Sequence, residues 1–261
     1  MPEDRISGDT RELPSPAGGD VAVVIPAKDE QDRIAATVQA AQQLPGVGLV
    51  LVVDDGSADA TARLAEGAGA MVVRQARNRG KGAAMESGAE AIRVLEQHER
   101  RAAPRHLLFL DADLAETAKA AAPLIDPVRS GSADMTIAVF ASTVKLGGHG
   151  FVVRLSRDGI KRATGWDATQ PLNGQRCLTR AAFQAALPLA AGFGVETALT
   201  IDLLRKGFRV TEVEVPLAHR ATGTDWRAQV HRARQFRDVA RALSTRDPAL
   251  TRGVGRFFHS G

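Results

Sequence analysis

Two short apolar runs that end in carboxylates constrain this chain more than any other feature. LVLVV (49–53) runs into Asp54-Asp55-Gly56-Ser57, and HLLFLDAD (106–113) ends at Asp111 and Asp113. Apolar runs without polar alternation read as strands buried on both faces, the pattern of a parallel sheet covered by helices. In such a sheet ligands bind beyond the carboxyl ends of the strands, where both acidic clusters fall. Carboxylates gathered there can hold a divalent cation, and a cation there can hold a diphosphate.

The spacing between the runs supports this layout. VAVVIPAKDE (21–30) reads as a first strand stopping at Pro26, followed by a turn. In residues 31–44, Ile34, Val38, Ala41 and Leu44 keep helical spacing until Pro45-Gly46 ends the helix. A helix in 59–67, a short strand at 70–73, a helix over 83–96, a strand at 107–110, a helix over 117–129 broken by Pro123 and Pro127, and a strand at 135–140 follow. Strands separated by helices are the signature of a layered α/β sheet. From 141 to 175 the periodicity changes: 146–151 reads as a loop, and FVVRLSRDGIKRATG is mixed, with a partial helical face at Phe151, Leu155 and Ile160. A short helix at 179–187 comes next. FGVETALTIDLLRKG is a helix with Gly207 placed to cap it, and FRVTEVEVPLAHR is a strand that Pro216 confines to an edge or an end.

Composition removes several classes. Hydrophobic residues make up 44% and charged residues 25%, as in an ordinary globular protein. No apolar run approaches the ~18 residues that span a bilayer, and the polar start has no apolar export core. A cytoplasmic protein is expected, at most attached to the inner face of a membrane. The single cysteine, Cys177, excludes an intrachain disulfide and a Cys-rich zinc site and reads as a packing residue. Tyrosine is absent. Net charge is +4, concentrated in 227–246, where six arginines face one aspartate. With no reading motif or aromatic stacking platform beside it, nucleic acid is not expected as a partner.

Asp111 and Asp113, two apart in an extended segment, are expected to face one site. Asp54 and Asp55 would repel each other without donors or a cation, and nucleotide groups are suitable donors; Asp59 reads equally as a helix cap. RNRGKG (77–82) lacks the P-loop spacing but sets Lys81 between two glycines at a helix start. His219 ends a strand beside Arg220, where metal binding and phosphate pairing are options. Glu196 opens a helix and is either a partner of its dipole or an acidic group of the site. His149, His231, Trp166 and Trp226 read as non-catalytic.

VVIPAKDEQDRI, VVDDGSADAT, NRGKGAAM and LFLDADL, in this order, resemble the motifs of the family 2 nucleotide-sugar glycosyltransferases. NGQR, GFGVETALTIDLLRKGFRVTEVEVPLAHR and RARQFRD extend the likeness over residues 21–240. The resemblance implies a GT-A fold, an α/β domain on a central, mostly parallel mixed sheet. It implies that Pro26, Ala27 and Glu30 wrap the nucleotide base, and that Asp54, Asp55, Lys81, Asp111 and Ala112 bind the donor. Asp111 and Asp113 match a DxD motif, in which Asp113 holds Mg²⁺ or Mn²⁺ and His219 completes the metal site. Glu196, with Asp113 and Arg220, is implied in catalysis. The implied partners are a nucleotide-sugar donor, UDP-glucose preferred, and a phosphorylated acceptor.

Two subgroups share these motifs. GGHGFVVRLSRDG and the segment leading into QPLNGQR resemble the acceptor region of the glucosyl-3-phosphoglycerate synthases, which implies acceptor binding by Gly147, Gly148, Arg154 and Asn173. NGQR stands here in place of that subgroup's small-Gly-Glu pattern. The alternative is a polyprenyl-phosphate glucosyl- or mannosyltransferase working at a membrane surface, with residues 226–243 lying on anionic lipid; the competing expectation for this helix is packing over the sheet. A homodimer is expected only by resemblance. A nucleotidyltransferase is disfavoured because PAKDE, without glycine, follows the first strand, and a non-catalytic binding domain because both acidic clusters are kept. The expected layout is a lead-in (1–19), one catalytic domain (20–245) with a nucleotide lobe (20–140), an acceptor lobe (141–225) and a basic helix (226–245), and a tail (246–261).

Overall fold

A computed structural model describes residues 19–140, 150–216 and 226–246. The elements run β1 (Val21–Ala27), α1 (Ile34–Gln42), β2 (Val47–Asp54), α2 (Thr61–Gly67), β3 (Met71–Arg74), α3 (Lys81–His98), β4 (His106–Phe109), α4 (Asp126–Arg129), β5 (Met135–Phe140), α5 (Gly150–Thr164), β6 (Arg176–Leu178), α6 (Arg180–Ala185), α7 (Val195–Arg205), β7 (Val210–Val215) and α8 (Trp226–Ser244). The strands form one seven-stranded sheet in the order β3-β2-β1-β4-β6-β5-β7. All neighbours pair parallel except β6, which runs antiparallel to both β4 and β5. The mixed, mostly parallel α/β sheet expected from the sequence is therefore present.

Because side chains alternate along a strand, the apolar runs feed two cores at once. Val21, Val23 and Ile25 of β1 pack with Val50 and Val52 of β2 under α1 and the 115–124 segment. Ala22 and Val24 pack with Leu51 and Val53 under α3, α6 and α7. Each fully buried Val or Leu side chain is worth about 1.5–3 kcal/mol, which is why these runs read so clearly in the sequence. A Cβ on Gly88 would lie 2.6 Å from Val24 and 3.0 Å from Val53. The glycine lets α3 settle close on the sheet and fixes where its first residue, Lys81, emerges.

Four expectations need correction. Residues 150–164 form one continuous helix, not a mixed segment. Its buried positions include Ser156 and Gly159, and a Cβ on Gly159 would drive into Leu243, so small contact residues hid the apolar stripe. The expected helix over 117–129 is a 3₁₀ segment, Ala115–Leu124, followed by α4. Strand β6 was not anticipated at all, being three residues long. The basic helix α8 does not cover the sheet: Val239 and Leu243 join Val152, Ile160 and Ile201 in a third core among α5, α7 and α8. Its apolar face is thus used inside the protein from Phe236 onward, and Arg237 and Arg241 point outward. The side chains of 226–234, the rest of the stripe expected to lie on lipid, fall outside the described residues. Pro216 follows β7, which is an edge strand as expected, and Gly207, at φ +78, ends α7.

Candidate active site

Three loops at the carboxyl ends of β1, β2 and β3 are stitched into one surface. The amides of Asp29 and Glu30 donate to the hydroxyls of Ser57 (2.9 Å) and Thr61 (2.8 Å). In return the Ala58 amide donates to Asp29 Oδ1 (2.8 Å) and the Ala60 amide to Gln31 Oε1 (3.2 Å). Asp59 serves both sides: Oδ1 accepts from the Thr61 amide (2.9 Å), capping the start of α2, and Oδ2 accepts from the Gln31 amide (3.2 Å). Gly56, at φ +72, lies where a Cβ would strike the backbone of Arg77 and Asn78. The first loop is therefore held in shape before any ligand arrives.

The Asp54-Asp55 pair builds this surface. Asp54 is buried; Oδ1 accepts from the Ser57 amide (2.9 Å) and Oδ2 lies 3.5 Å from Arg74 Nε. Asp55 accepts the amides of Arg79 (2.6 Å) and Gly80 (2.9 Å). The donors that separate the two like charges are thus backbone amides of the chain itself. Beside them Pro26 and Ala27 end β1, and the Ala27 carbonyl accepts the Asp55 amide (2.9 Å).

Beyond β4 the chain turns instead of staying extended. The hydroxyl of buried Thr37 on α1 donates to the Ala112 carbonyl (2.8 Å) and accepts from the Ala115 amide (2.8 Å), pinning the turn that carries Asp111 and Asp113. The two carboxylates consequently have different neighbours. Asp111 takes Lys81 Nζ on Oδ1 (2.7 Å) and Gln175 Nε2 on Oδ2 (2.6 Å). Asp113 is 43% exposed, with Arg33 3.8 Å away. Glu30 faces this pair: burial first, then the charge of Asp113, pushes its carboxyl above the ordinary value.

Lys81 links the two halves of the site, because its ammonium also lies 2.9 Å from Glu196 Oε1 on the first turn of α7. Burial alone would lower the Lys81 pKa, but Asp111 and Glu196 outweigh it and hold the ammonium above its usual range. Glu196 sits at a helix N-terminus and its carboxylate reaches Lys81. The 3₁₀ turn before it, Gly192–Gly194, is tied to α8 by Asp238 Oδ2, which accepts the Phe193 amide (3.2 Å).

NGQR supplies what sequence reasoning largely missed. Asn173, expected at the acceptor, is buried, and its Oδ1 accepts the Gln175 amide (2.9 Å). A Cβ on Gly174 would lie 2.8 Å from Asp111 Oδ1 and run into Lys81 Nζ. Arg176 is buried and donates to the carbonyls of Asn173 (2.8 Å), Glu196 (3.0 Å) and Pro171 (3.0 Å) and to Thr200 Oγ1 (2.9 Å). Desolvation lowers its pKa to about 10. The departure from the small-Gly-Glu pattern was the one signal in the sequence that this segment differs.

Arg154 is exposed on α5. Gly147, Gly148, His149, His219 and Arg220 lie outside the described residues. Cys177 is fully buried, and burial pushes its thiol pKa up. Trp166 packs between two cores. Among the described residues no three acidic, histidine or cysteine side chains are close enough to hold a metal ion alone. The exposed Asp113 carboxylate, facing Glu30, is suited to a hard cation that takes its other ligands from phosphate. No described helix is long and apolar enough to cross a membrane.

Comparison with known proteins places these features in context. The family model for glycosyl transferase family 2 matches residues 22–183. The chain is 33% identical to glycosyltransferase AglJ of Haloferax volcanii over 220 residues, 82% of this chain and 67% of that one. The structure of glucosyl-3-phosphoglycerate synthase from Mycobacterium tuberculosis with Mn²⁺, UDP and phosphoglyceric acid superposes with a TM-score of 0.70 at 24% identity, covering 88% of this chain and 78% of that one. The same enzyme with phosphoglyceric acid alone gives a TM-score of 0.69 at 26% identity, covering 88% and 80%.

Proposed function

This chain belongs to glycosyl transferase family 2 and is a glycosyltransferase with a GT-A fold, and from that premise we propose that it moves a hexose, glucose, from UDP-glucose to a phosphorylated acceptor, 3-phosphoglycerate. The observation that carries the proposal is Lys81, whose ammonium touches Asp111 on the donor side and Glu196 across the cleft. The similarity to a synthase solved with phosphoglyceric acid supports the acceptor class.

In this mechanism the preformed loops at Pro26, Ala27, Glu30 and Asp55 receive the base. Each oxygen of Asp55 holds one backbone amide and a carboxylate oxygen can accept more than one bond, so Asp55 can still meet a base N–H. Asp113, with His219 as further ligand, would hold Mg²⁺ or Mn²⁺, and Asp111 and Ala112 the ribose side of the donor. The ion's chemistry is charge stabilisation on the departing diphosphate. Lys81 adds a fixed positive charge at the same place, and Arg220 is assigned to the phosphates. Glu196 orients the acceptor hydroxyl and takes its proton as the bond to the anomeric carbon forms. Gly147, Gly148 and Arg154 are assigned to the acceptor's phosphate and carboxylate, and residues 20–245 act as one catalytic unit in the cytoplasm.

One observation favours a second acceptor. Phe151 is 68% exposed and stacks on Phe236 at 5.4 Å between ring centres, next to the segment assigned to the acceptor. Exposed Phe151, seated on half-buried Phe236, suits the hydrocarbon of a polyprenyl phosphate. Purified protein with Mg²⁺ or Mn²⁺ and a panel of nucleotide sugars, given 3-phosphoglycerate or a short polyprenyl phosphate, separates the two. Transfer to 3-phosphoglycerate supports the proposal, transfer only to the lipid phosphate replaces the acceptor, and absence of both transfer and donor hydrolysis overturns it.

A further inference from the structure

We propose that Gln175 is a positioning residue for the donor site, holding the carboxylate of Asp111 in a fixed plane through its side-chain amide. The inference rests on the assignment of Asp111 and Asp113 to the donor and its cation. Gln175 is buried, and its Nε2 donates to Asp111 Oδ2 at 2.6 Å while Lys81 Nζ donates to Oδ1 at 2.7 Å. Two donors on opposite oxygens remove the freedom of a carboxylate to rotate about its Cβ–Cγ bond.

The backbone that carries this amide is itself fixed. The Gln175 amide donates to Asn173 Oδ1 (2.9 Å), and its carbonyl accepts from the Ala138 amide of β5 (3.0 Å). Arg176, the next residue, enters β6 between β4 and β5. The antiparallel strand is what aims residue 175 at the end of β4: it runs back beside β4, so its start lies where β4 ends. Gly174 completes the fit, since any side chain there would push Lys81 and Asp111 apart.

The choice of amide over acid matters electrostatically. Lys81 already serves two carboxylates, Asp111 and Glu196. A glutamate at 175 would set a third carboxylate against Asp111, and like charges at hydrogen-bond distance repel. Glutamine supplies the donor and no charge, so Asp111 is oriented without a further like charge beside it.

The test is binding of UDP with Mn²⁺, measured by calorimetry on the full chain, with thermal melts to check folding. Gln175→Leu removes the donor at similar volume, and Gln175→Glu keeps the shape and reverses the interaction. Both are expected to raise the dissociation constant by about tenfold or more, the worth of a hydrogen bond to a charged group. In an Asp111→Asn background, Gln175→Leu is expected to add less than about twofold, because the partner it acts through is already changed. Folded Gln175→Leu and Gln175→Glu proteins that bind within twofold of wild type overturn the inference. So does a full tenfold loss that persists in Asp111→Asn, which would mean Gln175 acts by packing alone. If Gln175→Leu does not fold, Gln175→Glu decides by the same criterion. Wild-type protein that binds no nucleoside diphosphate with Mn²⁺ overturns the donor-site assignment itself, and the inference with it.

Discussion

Nη1 of Arg176 donates to the main-chain carbonyl of Glu196 at 3.0 Å, so a buried cation in the middle of the sheet holds the first turn of the helix that delivers Glu196 to Lys81. Two elements distant in sequence, β6 and α7, are registered by this one side chain. Glu196 is thereby placed by the core and not by a surface loop.

Replacing Arg176 by methionine should therefore harm stability and activity together. It removes one donor from each of four buried acceptors; the Glu196 carbonyl and Thr200 hydroxyl keep the bond between them, while the carbonyls of Asn173 and Pro171 lose theirs, and an unsatisfied buried group costs about 1–3 kcal/mol. Relief from burying a guanidinium offsets part of this, so a net loss of about 3 kcal/mol is expected in urea unfolding. A variant as stable as wild type would show that the carbonyls find other donors.

Gly174→Ala should be damaging for a different reason. The added methyl meets Asp111 and Lys81 directly, and overpacking costs about 1–3 kcal/mol. Transfer activity should fall at least tenfold with KM for the donor raised. Unchanged KM would mean that the Lys81–Asp111 pair can shift without consequence for the donor.

Asp113→Asn should show the reverse separation. Its side chain is 43% exposed and its ion pair with Arg33 is long, at 3.8 Å, so unfolding free energy should stay within about 0.5 kcal/mol of wild type. Metal-dependent transfer should drop by roughly 10²–10³-fold, the usual size for losing a group that stabilises developing charge. Full activity with Mg²⁺ or Mn²⁺ in this variant would remove Asp113 from the metal site.

Glu30 carries a pH signature. Burial, followed by the charge of Asp113, raises its carboxyl pKa in the folded protein, so the folded state keeps a proton that the unfolded chain has already released. Stability from this group is present below the unfolded value and falls as pH rises through the folded one. Glu30→Gln should accordingly raise Tm at pH 7 and leave it little changed near pH 4. An equal shift at both pH values would assign the effect to packing.

Cys177 should be silent to thiol reagents in the native state. It is fully buried with its thiol pKa raised, and the thiolate is the reactive form. The native protein should release no chromophore from a disulfide reagent over an hour, and one equivalent once unfolded in guanidinium. Rapid native labelling would show that the strands around β6 open readily.

The sequence by itself determined the sheet, most of its helices, and the family of the chain. Val21, Val23 and Ile25 on one face and Ala22 and Val24 on the other are a local pattern, legible because a strand covered on both faces buries nearly all its side chains in apolar cores. Lys81, Asp111, Asp113 and Glu196 could be named because carboxylates and a lysine at strand ends and helix starts are also local features. Tertiary structure alone decided what those groups touch. Only folding shows that Asp54 and Asp55 spend oxygens on the turn at Ser57 and on the amides of Arg79 and Gly80, that Thr37 pins the turn of Ala112, or that Gln175 meets Asp111. These contacts join residues from 3 to 75 positions apart. For the long-range ones no periodicity exists to read, because the antiparallel insertion of β6 and the close approach of α3 bring them together. The stripe on α5 was missed for the same reason: Ser156 and Gly159 look polar or neutral in a sequence, and become core positions only when α8 lies against them.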